Sequence, residues 1–302
     1  MTTYFSKPFG AGVDQLAIEA NRYRLIWAAP CPFAQRAAIA RLLLGLEDSI
    51  SLATAHPVNT GQGWQFSLDP GGIDPVLGVA SLRALYNQAA PSYEGPFSVP
   101  ALVDVTTQEI VRQESLEILR DFSTAFKPLH SVKAPDLYPD DLRQEIDEWN
   151  QKISAEITMG PHKIGLAEDQ AAYDEASDAF FDALQEIDTR LTNRRYFHGE
   201  QLTETDIVLY TPLVRLEVLY APIFGVNKRA LSDFPHLWAY MRELYALPAF
   251  RETTDFEAYK QGSYLGKMGQ TRLTRLVVPA GPDMSHWSAP HDRSDDTYHF
   301  WS

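Results

Sequence analysis

Cys31 is the sole cysteine of this 302-residue chain, and it stands where a thiol can become reactive. It separates an apolar run, Tyr23 to Trp27, from an Ala- and Arg-rich run beginning at Ala34, which predicts a buried strand followed by a helix. Pro32 then falls at the first helical position, which proline favours. The Cys31 sulfur would face unpaired backbone N–H groups and the positive end of the helix dipole, and both stabilise a thiolate. A small buried core cysteine is the alternative.

A single cysteine limits the chemistry that this thiol can perform. It excludes an intramolecular disulfide, a cysteine-based zinc site and a dithiol mechanism. The Cys31 thiolate must therefore form a mixed disulfide with a small external thiol, or stabilise such a thiol noncovalently. The Val99-Pro100 junction leads into a strand and fits a thioredoxin-like domain, in which the residue before a cis-proline offers backbone hydrogen bonds to a peptide-like thiol. The sequence does not reveal whether this bond is cis, and trans is the commoner form.

The elements that must position these residues alternate in the first part of the chain. Residues 56–78 are rich in Gly, Pro and Asp and predict a long loop, which in a compact domain is usually functional. Around this loop we predict strands over 23–27, 50–53, 99–104 and 109–111, and helices over 34–44, 81–88 and 114–122.

Beyond residue 139 the strand signal disappears and helical spacing takes over. Apolar residues recur with helical periodicity over 140–157, 168–191, 204–219 and 234–244. The third of these helices is preceded by a capping box, with Thr203 as N-cap and Asp206 three residues on.

The predicted fold is an α/β thioredoxin-like N-terminal domain joined to an all-α C-terminal domain. The predicted divisions are a thiol-binding domain with an N-terminal extension over 1–123, a linker over 124–139, a helical domain binding an aromatic substrate over 140–266, and an irregular tail over 267–302.

Charge and composition exclude several kinds of partner. The chain has 26 Lys and Arg against 40 Asp and Glu, a net charge of −14, so its surface repels nucleic-acid phosphates and anionic lipids. No apolar run approaches the roughly 20 residues that cross a bilayer. We therefore expect neither nucleic-acid nor membrane binding. A lone reduced thiol fits a cytoplasmic protein.

Motifs carrying a family resemblance occur in order between about residues 20 and 285. They are Ala29-Pro30-Cys31-Pro32-Phe33-Ala34-Gln35-Arg36, Gly63-Trp64-Gln65-Phe66, Val99-Pro100-Ala101-Leu102, Gln113-Glu114-Ser115 and Leu202-Thr203-Glu204-Thr205-Asp206-Ile207. This series resembles the glutathionyl-hydroquinone reductases, also called Xi-class glutathione transferases. The resemblance implies the glutathione transferase fold, a homodimer, and glutathione or a related small thiol as co-substrate without a metal.

The resemblance also implies a reaction and a set of site residues. The Cys31 thiolate would attack the sulfur of a thiol–hydroquinone conjugate, release the hydroquinone and form a mixed disulfide, which a second thiol would resolve. The residues implied to bind the thiol are Trp64, the backbone of Phe97 and Val99 with Pro100, and Glu114 and Ser115 at its γ-glutamyl end. An ordinary core aromatic is the alternative for Trp64, and a helix cap is the alternative for Glu114-Ser115.

Several residues depart from the family pattern. Phe33 stands where Trp is usual, Gln35 where His is usual, and Pro96 where an Arg usually contacts the glycine carboxylate of glutathione. His162 occupies the place of a tyrosine that protonates the aromatic leaving group, and imidazole can also donate a proton. A surface histidine is its alternative. Tyr264 is the best match to a second such tyrosine.

Two other functions remain compatible with the sequence. One is an omega-type thiol transferase acting on mixed disulfides or electrophiles. The other is a non-catalytic ligand-binding protein of the same fold, which predicts an ordinary, unreactive Cys31.

Overall fold

A computed structural model describes residues 5, 7–89, 91–273, 276–291 and 293. The chain divides into two compact units. The first contains residues 1–134 and 257–278, and the second contains residues 135–256 and 279–302. The sequence-based division kept 140–266 together in the helical domain, which is wrong for residues 257–266. Within this segment Gly262 approaches the Pro30 ring so closely that a Cβ would overlap it, a contact that helical periodicity does not reveal.

The first unit is built on a four-stranded mixed sheet. Its strands are β1 (Tyr23–Trp27), β2 (Ile50–Thr54), β3 (Ala101–Asp104) and β4 (Glu109–Arg112), in the order β2-β1-β3-β4. β2 runs parallel to β1, whereas β3 and β4 add antiparallel neighbours. All five residues of β1 are buried, which explains its unbroken apolar run. The sheet has the thioredoxin-like arrangement that the sequence predicted.

Three helices of the first unit follow the predicted positions to within two residues. They are α1 (Pro32–Leu43), α2 (Leu82–Ala89) and α3 (Ser115–Ser123). β3 begins at Ala101 and not at Val99, because Pro100 has no N–H to give to a ladder. The Val99–Pro100 peptide bond is cis.

The long loop after β2 is fixed to the sheet by a buried ion pair. Arg24 on β1 donates to the Asp74 carboxylate at 2.8 Å, and both side chains are almost fully buried. The other carboxylate oxygen of Asp74 accepts the N–H groups of Val76 and Leu77. The loop that carries Trp64 is thus held in place although it has little regular structure.

The second unit is helical in the part of the chain that the structure describes. Its helices are α4 (Arg143–Ile153), α5 (Gly160–Gly165), α6 (Gln170–Arg190), α7 (Glu204–Leu213), α8 (Ala221–Phe224), α9 (Pro235–Ala246) and α10 (Pro248–Arg251). π-helical turns over Ser154–Thr158 and Leu216–Tyr220 interrupt two of the predicted helices.

α7 is the core helix of the second unit, since all ten of its residues are buried. The predicted capping box is present between Thr203 and Asp206. The Asp206 carboxylate accepts the Thr203 N–H at 2.7 Å, the Phe197 N–H at 2.8 Å and the Tyr240 hydroxyl at 2.7 Å. Burial raises the pKa of Asp206, while these hydrogen bonds oppose the shift.

The helical stretch around α7, residues 204–224, is long and apolar enough by composition to pass a test for a membrane-crossing helix. The helix predicted from the sequence ended at residue 219, so no run of this length was expected. In the structure 78% of the apolar window is buried, as expected for a core helix.

The described part of the predicted irregular tail, residues 267–273, 276–291 and 293, is more regular than predicted, and the rest of 267–302 lies outside the described residues. The tail is preceded by α11 (Phe256–Tyr264), and α12 (Lys267–Arg272) then forms a further helix. A 3₁₀ turn over Ser285–Ser288 buries Trp287, which packs edge-on against Trp238 with ring centroids 5.0 Å apart. The aromatic anchor explains why this segment is ordered, and single-sequence periodicity does not register it.

Candidate active site

Cys31 occupies the N-cap of α1, with Pro32 at the first helical position, as the sequence predicted. Its backbone is extended, its side chain makes no capping bond, and the first turn of α1 contains no acidic residue. The residue is neither fully buried nor fully exposed. The sulfur therefore stands at the electropositive end of the helix without an acidic neighbour in that turn to oppose a thiolate.

The cis-proline segment lies directly against this sulfur. Cys31 Sγ is 3.4 Å from the carbonyl oxygen of Val99, to which a protonated thiol can donate. Among the described residues, the Val99 N–H has no acceptor. A peptide-like thiol lying along this segment could use that N–H, which is the backbone role that the resemblance implies for Val99.

Glu114 and Ser115 lie at the N-terminus of α3. Glu114 is the N-cap residue by position, but its exposed side chain makes no capping bond. Ser115 is buried, and its hydroxyl accepts from the Arg36 guanidinium of α1 at 3.4 Å. Glu114 is thus the helix cap by position only, and its carboxylate is not used in a capping bond, so that it remains available for a cation.

A groove of about 360 Å³ opens in the first unit. Its walls are aromatic, small and cationic residues: Asn59, Gly61, Gly63, Trp64, Arg83, Pro96, Phe97, Gly262 and Lys267. Trp64 is partly exposed on this wall, so it is not the ordinary core aromatic of the alternative interpretation. Two of its lining residues lie close to the Cys31 segment or to its neighbour Val99: Gly262 approaches the Pro30 ring, and Phe97 is two residues before Val99.

A hydrogen-bond network holds the segment that carries Pro96 and Phe97. The side-chain oxygen of Gln113 accepts the hydroxyls of Tyr86 at 3.0 Å and Tyr93 at 2.9 Å. The Tyr93 hydroxyl also lies 3.2 Å from the Pro96 carbonyl oxygen, and the two tyrosine rings stack. Burial raises the pKa of Tyr86, so this hydroxyl remains a donor.

The two predicted proton donors fall in different units. Tyr264 ends α11 in the first unit, the unit that contains Cys31, and burial raises the pKa of its hydroxyl. His162 lies in α5 of the second unit, where its ring packs 5.1 Å from that of Phe224. The packing argues against a freely solvated surface histidine. The proton-donor roles of both residues stay predictions.

Sequence reasoning missed two cations of the groove, Arg83 and Lys267. The sequence shows only that Pro96 stands where the family usually has an arginine. Arg83 comes from α2 and Lys267 from the start of α12, both in the first unit. Each resembles an ordinary solvated residue in the sequence, and only the fold brings them to one groove.

No group of three or more His, Cys, Asp or Glu side chains is placed to hold a metal within the described part of the chain.

Both halves of the chain match models of known domains. Residues 30–125 match the glutathione S-transferase N-terminal domain, and residues 170–243 match the glutathione S-transferase C-terminal domain. The fold and the site thus define a glutathione transferase with a cysteine at the helix N-terminus.

Similarity to individual proteins places the chain more closely within the glutathione transferases. Glutathionyl-hydroquinone reductase YqjG of Escherichia coli K12 is 39% identical over 95% of this chain and 87% of the relative. Glutathione S-transferase omega-like 2 of Schizosaccharomyces pombe is 35% identical over 87% of this chain and 86% of the relative.

Solved structures agree. The glutathione-bound structure of YqjG superposes with a TM-score of 0.86 at 36% identity, covering 94% of this chain and 91% of that one. Glutathione transferase Xi 1 from Trametes versicolor superposes with a TM-score of 0.86 at 36% identity, covering 93% of this chain and 98% of that one. The chain belongs to the glutathionyl-hydroquinone reductases, the Xi class of glutathione transferases.

Proposed function

We propose that this protein is a thiol-dependent reductase that removes glutathione, or a similar small thiol, from thiol–hydroquinone conjugates through a mixed disulfide at Cys31. One observation carries the proposal. Cys31 occupies the N-cap position of α1, whose first turn contains no acidic residue, and its sulfur lies 3.4 Å from the Val99 carbonyl oxygen. A reactive thiol is thereby set against a backbone edge that suits a peptide-like thiol.

The first chemical step breaks the bond between the conjugate sulfur and the aromatic carbon. The Cys31 thiolate attacks that sulfur, a disulfide forms, and the electron pair of the broken bond stays on the ring carbon. That carbon takes a proton and leaves as the hydroquinone. The two sulfurs are oxidised and the ring carbon is reduced by two electrons.

The second step regenerates the thiolate. A second thiol, as its thiolate, attacks the disulfide, releases the oxidised dimer of the thiol and returns the electron pair to Cys31. The sum is one conjugate and one thiol converted to one hydroquinone and one disulfide, so no further reductant is needed.

The proton for the ring carbon is proposed to come from Tyr264 or His162. Burial raises the pKa of Tyr264, which keeps its hydroxyl protonated at neutral pH but makes it a weaker acid. Phenylalanine at 264 and glutamine at 162 test the two residues separately. The true donor is the one whose loss slows hydroquinone release while Cys31 remains as reactive towards alkylation as before.

The test of the function uses glutathionyl-menadione as substrate. The conjugate is first reduced to its hydroquinone form, so that we expect menadiol and glutathione disulfide in equal amounts from the natural protein, and neither from Cys31→Ser. Intact mass after conjugate addition without free glutathione should show one glutathione on Cys31. Absence of turnover and of the adduct would contradict the proposal.

Two alternative functions predict different results in the same assay. An omega-type thiol transferase, which the similarity to the omega-like relative favours, would reduce simple mixed disulfides well and leave the aromatic conjugate untouched. A non-catalytic binding protein would have neither activity. The proposed reductase should not conjugate chlorodinitrobenzene with glutathione, whereas a general transferase should.

We further propose that the protein is a homodimer in the cytoplasm. The family resemblance supports the dimer, and a reducing compartment suits a free thiol that consumes glutathione. A hydrodynamic mass near twice the chain mass of 34.0 kDa is expected, and a mass near 34.0 kDa at micromolar concentration would contradict the dimer.

A further inference from the structure

A second cavity, of about 590 Å³, opens in the helical unit and is lined by an excess of positive charge. Its lining residues all belong to the second unit, and it shares none of them with the groove of the first unit. Its lining includes the arginines Arg194, Arg195, Arg242 and Arg293, but Glu200 is the one acidic residue among the described lining residues. The chain carries 40 acidic residues against 26 basic ones, so this cavity runs against the overall charge. Cations concentrated in a concave site attract anions.

Two of these arginines are ion-paired within the protein. Arg195 donates to one oxygen of the Glu243 carboxylate at 2.7 Å, and Arg293 donates to the other oxygen at 2.5 Å. Glu243 is almost fully buried, so both side chains are held in place by charge-assisted hydrogen bonds. Because one carboxylate serves two guanidinium groups, the group of three side chains still carries a net positive charge.

The other two arginines pair with no carboxylate in the described ranges of the chain. Arg242 donates to the Pro290 carbonyl oxygen, and its guanidinium lies over the Trp238 ring at 5.1 Å from the centroid. The Nε of Arg242 is buried and makes no hydrogen bond. Arg194 donates to the Phe197 carbonyl oxygen at 3.4 Å. Since a guanidinium has five N–H donors, both arginines retain donors for a ligand.

The acidic residues nearest to these arginines do not cancel their charge. Glu145 interacts electrostatically with Arg194, but its carboxylate is already ion-paired with Arg190. Glu200 is exposed, so water and salt screen its charge. The excess of positive charge therefore remains available to a ligand.

His291 adds a donor to the cavity. Its Nδ1 accepts the backbone N–H of Arg293 at 3.2 Å, so the proton of the neutral ring is on Nε2. The side chains that line the cavity thus offer hydrogen-bond donors of two kinds, guanidinium and imidazole, which together suit an anion with several acceptor oxygens.

The charge and the donor geometry indicate the class of the anion. A phosphate monoester carries close to two negative charges at neutral pH and has three strong acceptor oxygens. Its oxygens point in different directions and can accept from several guanidinium groups, whereas a carboxylate is filled by one planar guanidinium. The cavity volume lies in the range of small-molecule sites.

We propose that this cavity is a binding site for a small phosphate-bearing molecule, whose phosphate oxygens are held chiefly by Arg194 and Arg242. The inference goes beyond the proposed function and does not rest on it. Inorganic pyrophosphate and a nucleoside diphosphate share the required chemistry and represent its two sources. Arg195 and Arg293 are positioning residues, because their guanidinium groups are used by Glu243.

The test measures binding of pyrophosphate, adenosine diphosphate and citrate to the full chain by calorimetry in a phosphate-free buffer. We expect saturable binding of pyrophosphate, and weaker binding of the tricarboxylate citrate. Arg194→Gln and Arg242→Gln should each weaken pyrophosphate about 10-fold, as loss of a charge-assisted contact predicts. Equal affinities for pyrophosphate and adenosine diphosphate would support recognition of the diphosphate alone. Tighter binding of adenosine diphosphate would support a nucleotide as the source.

Matched variants separate a site from a general effect of charge. Arg251→Gln removes an exposed arginine of the same unit that does not line the cavity and that also donates to a backbone carbonyl. It should leave the affinity for pyrophosphate unchanged. Arg242→Lys keeps the charge but loses the planar guanidinium, so its affinity should fall between those of the natural protein and Arg242→Gln. Urea unfolding verifies that each variant is folded.

The acidic end of the chain is the alternative occupant of the cavity. Asp295 and Asp296 closely follow Arg293 in the sequence and lie outside the described residues. Comparable affinity of the natural chain and of the double variant Asp295→Asn with Asp296→Asn would support the site. Binding of pyrophosphate by the double variant alone would assign the cavity to the chain itself and overturn the inference.

Three further results would overturn it. They are absence of saturable binding of pyrophosphate and adenosine diphosphate, tighter binding of citrate than of both, and an equal loss of affinity in Arg251→Gln and Arg242→Gln. Cys31→Ser should bind pyrophosphate as the natural protein does, because Cys31 does not line this cavity. The reductase function is judged with glutathionyl-menadione, so either conclusion can fail while the other stands.

Discussion

Cys31 occupies the N-cap position of α1, at the end of the helix where backbone N–H groups are unpaired, and the first turn contains no acidic residue. We therefore expect the thiolate to be the main form at neutral pH. The rate of alkylation by iodoacetamide should be half-maximal well below pH ~8.5, where a free cysteine is half ionised. A half-maximal rate at or above that pH would contradict the expectation and favour an inert structural cysteine.

Glu114 provides a second test at the level of single residues. Its exposed carboxylate makes no capping bond, so we expect it to bind the ammonium group at the γ-glutamyl end of the thiol. Glu114→Gln should raise the KM for glutathione about 10-fold and leave kcat nearly unchanged. Glu117→Gln, which removes an exposed carboxylate from the same helix, is the control. Equal effects of the two changes would contradict a direct contact.

The single-residue predictions that succeeded were local ones. Cys31 next to Pro32 specifies a helix start because proline lacks an N–H, and Thr203 with Asp206 specifies a capping box for similar reasons. Arg83 and Lys267 could not be found in this way. These two residues line one groove only because of how α2, the loop at Asn59 and α12 pack. A solvated cation on a helix has no sequence signature of its own.

At the level of elements, the position of α11 determines the shape of the site. A Cβ at Gly262 would overlap the Pro30 ring and lie 2.8 Å from the Pro57 carbonyl oxygen. Gly262→Ala should therefore cost about 1–3 kcal/mol of stability by overpacking. It should also lower reductase activity, because Pro30 precedes Cys31.

Gln261→Ala serves as the control for this change, since it alters the adjacent position of α11 without adding an atom against Pro30. Urea unfolding and turnover of glutathionyl-menadione are the measurements. Full activity and stability in Gly262→Ala would contradict the prediction, because α11 could then move away from Pro30 without cost.

Elements were predicted well where periodicity was sustained and poorly where helices were short. All four strands and the long helices appeared near their predicted positions. The short helices α5 and α10, together with α11 and α12, were missed because few turns give too little apolar repetition. The π-helical turns also broke two helices that periodicity alone continues.

On the scale of the whole molecule, His198 makes stability depend on pH. Burial lowers the pKa of His198 from 6.5 to about 4, against the opposing effect of Glu145 at 3.6 Å. An unfolded chain would take up a proton between those values while the folded one would not. The stabilisation is therefore fully present above pH 6.5 and is lost as the pH falls towards 4.

The loss should amount to as much as about 3 kcal/mol, at about 1.4 kcal/mol for each pKa unit. Urea unfolding of the natural protein and of His198→Gln at several pH values measures it, with the exposed His236→Gln as control. The difference in free energy of unfolding between the first two proteins should shrink as the pH falls. A difference independent of pH would contradict the assignment.

The chain leaves the first unit after residue 134 and returns to it over 257–278. A chimera that exchanges residues 1–134 with those of a relative would transfer Cys31, Trp64 and Glu114, but would leave Gly262 and Lys267 behind. The wall of the groove would then not be inherited whole with the N-terminal half of the gene. Recombination within this family has to exchange both segments together to keep that wall intact.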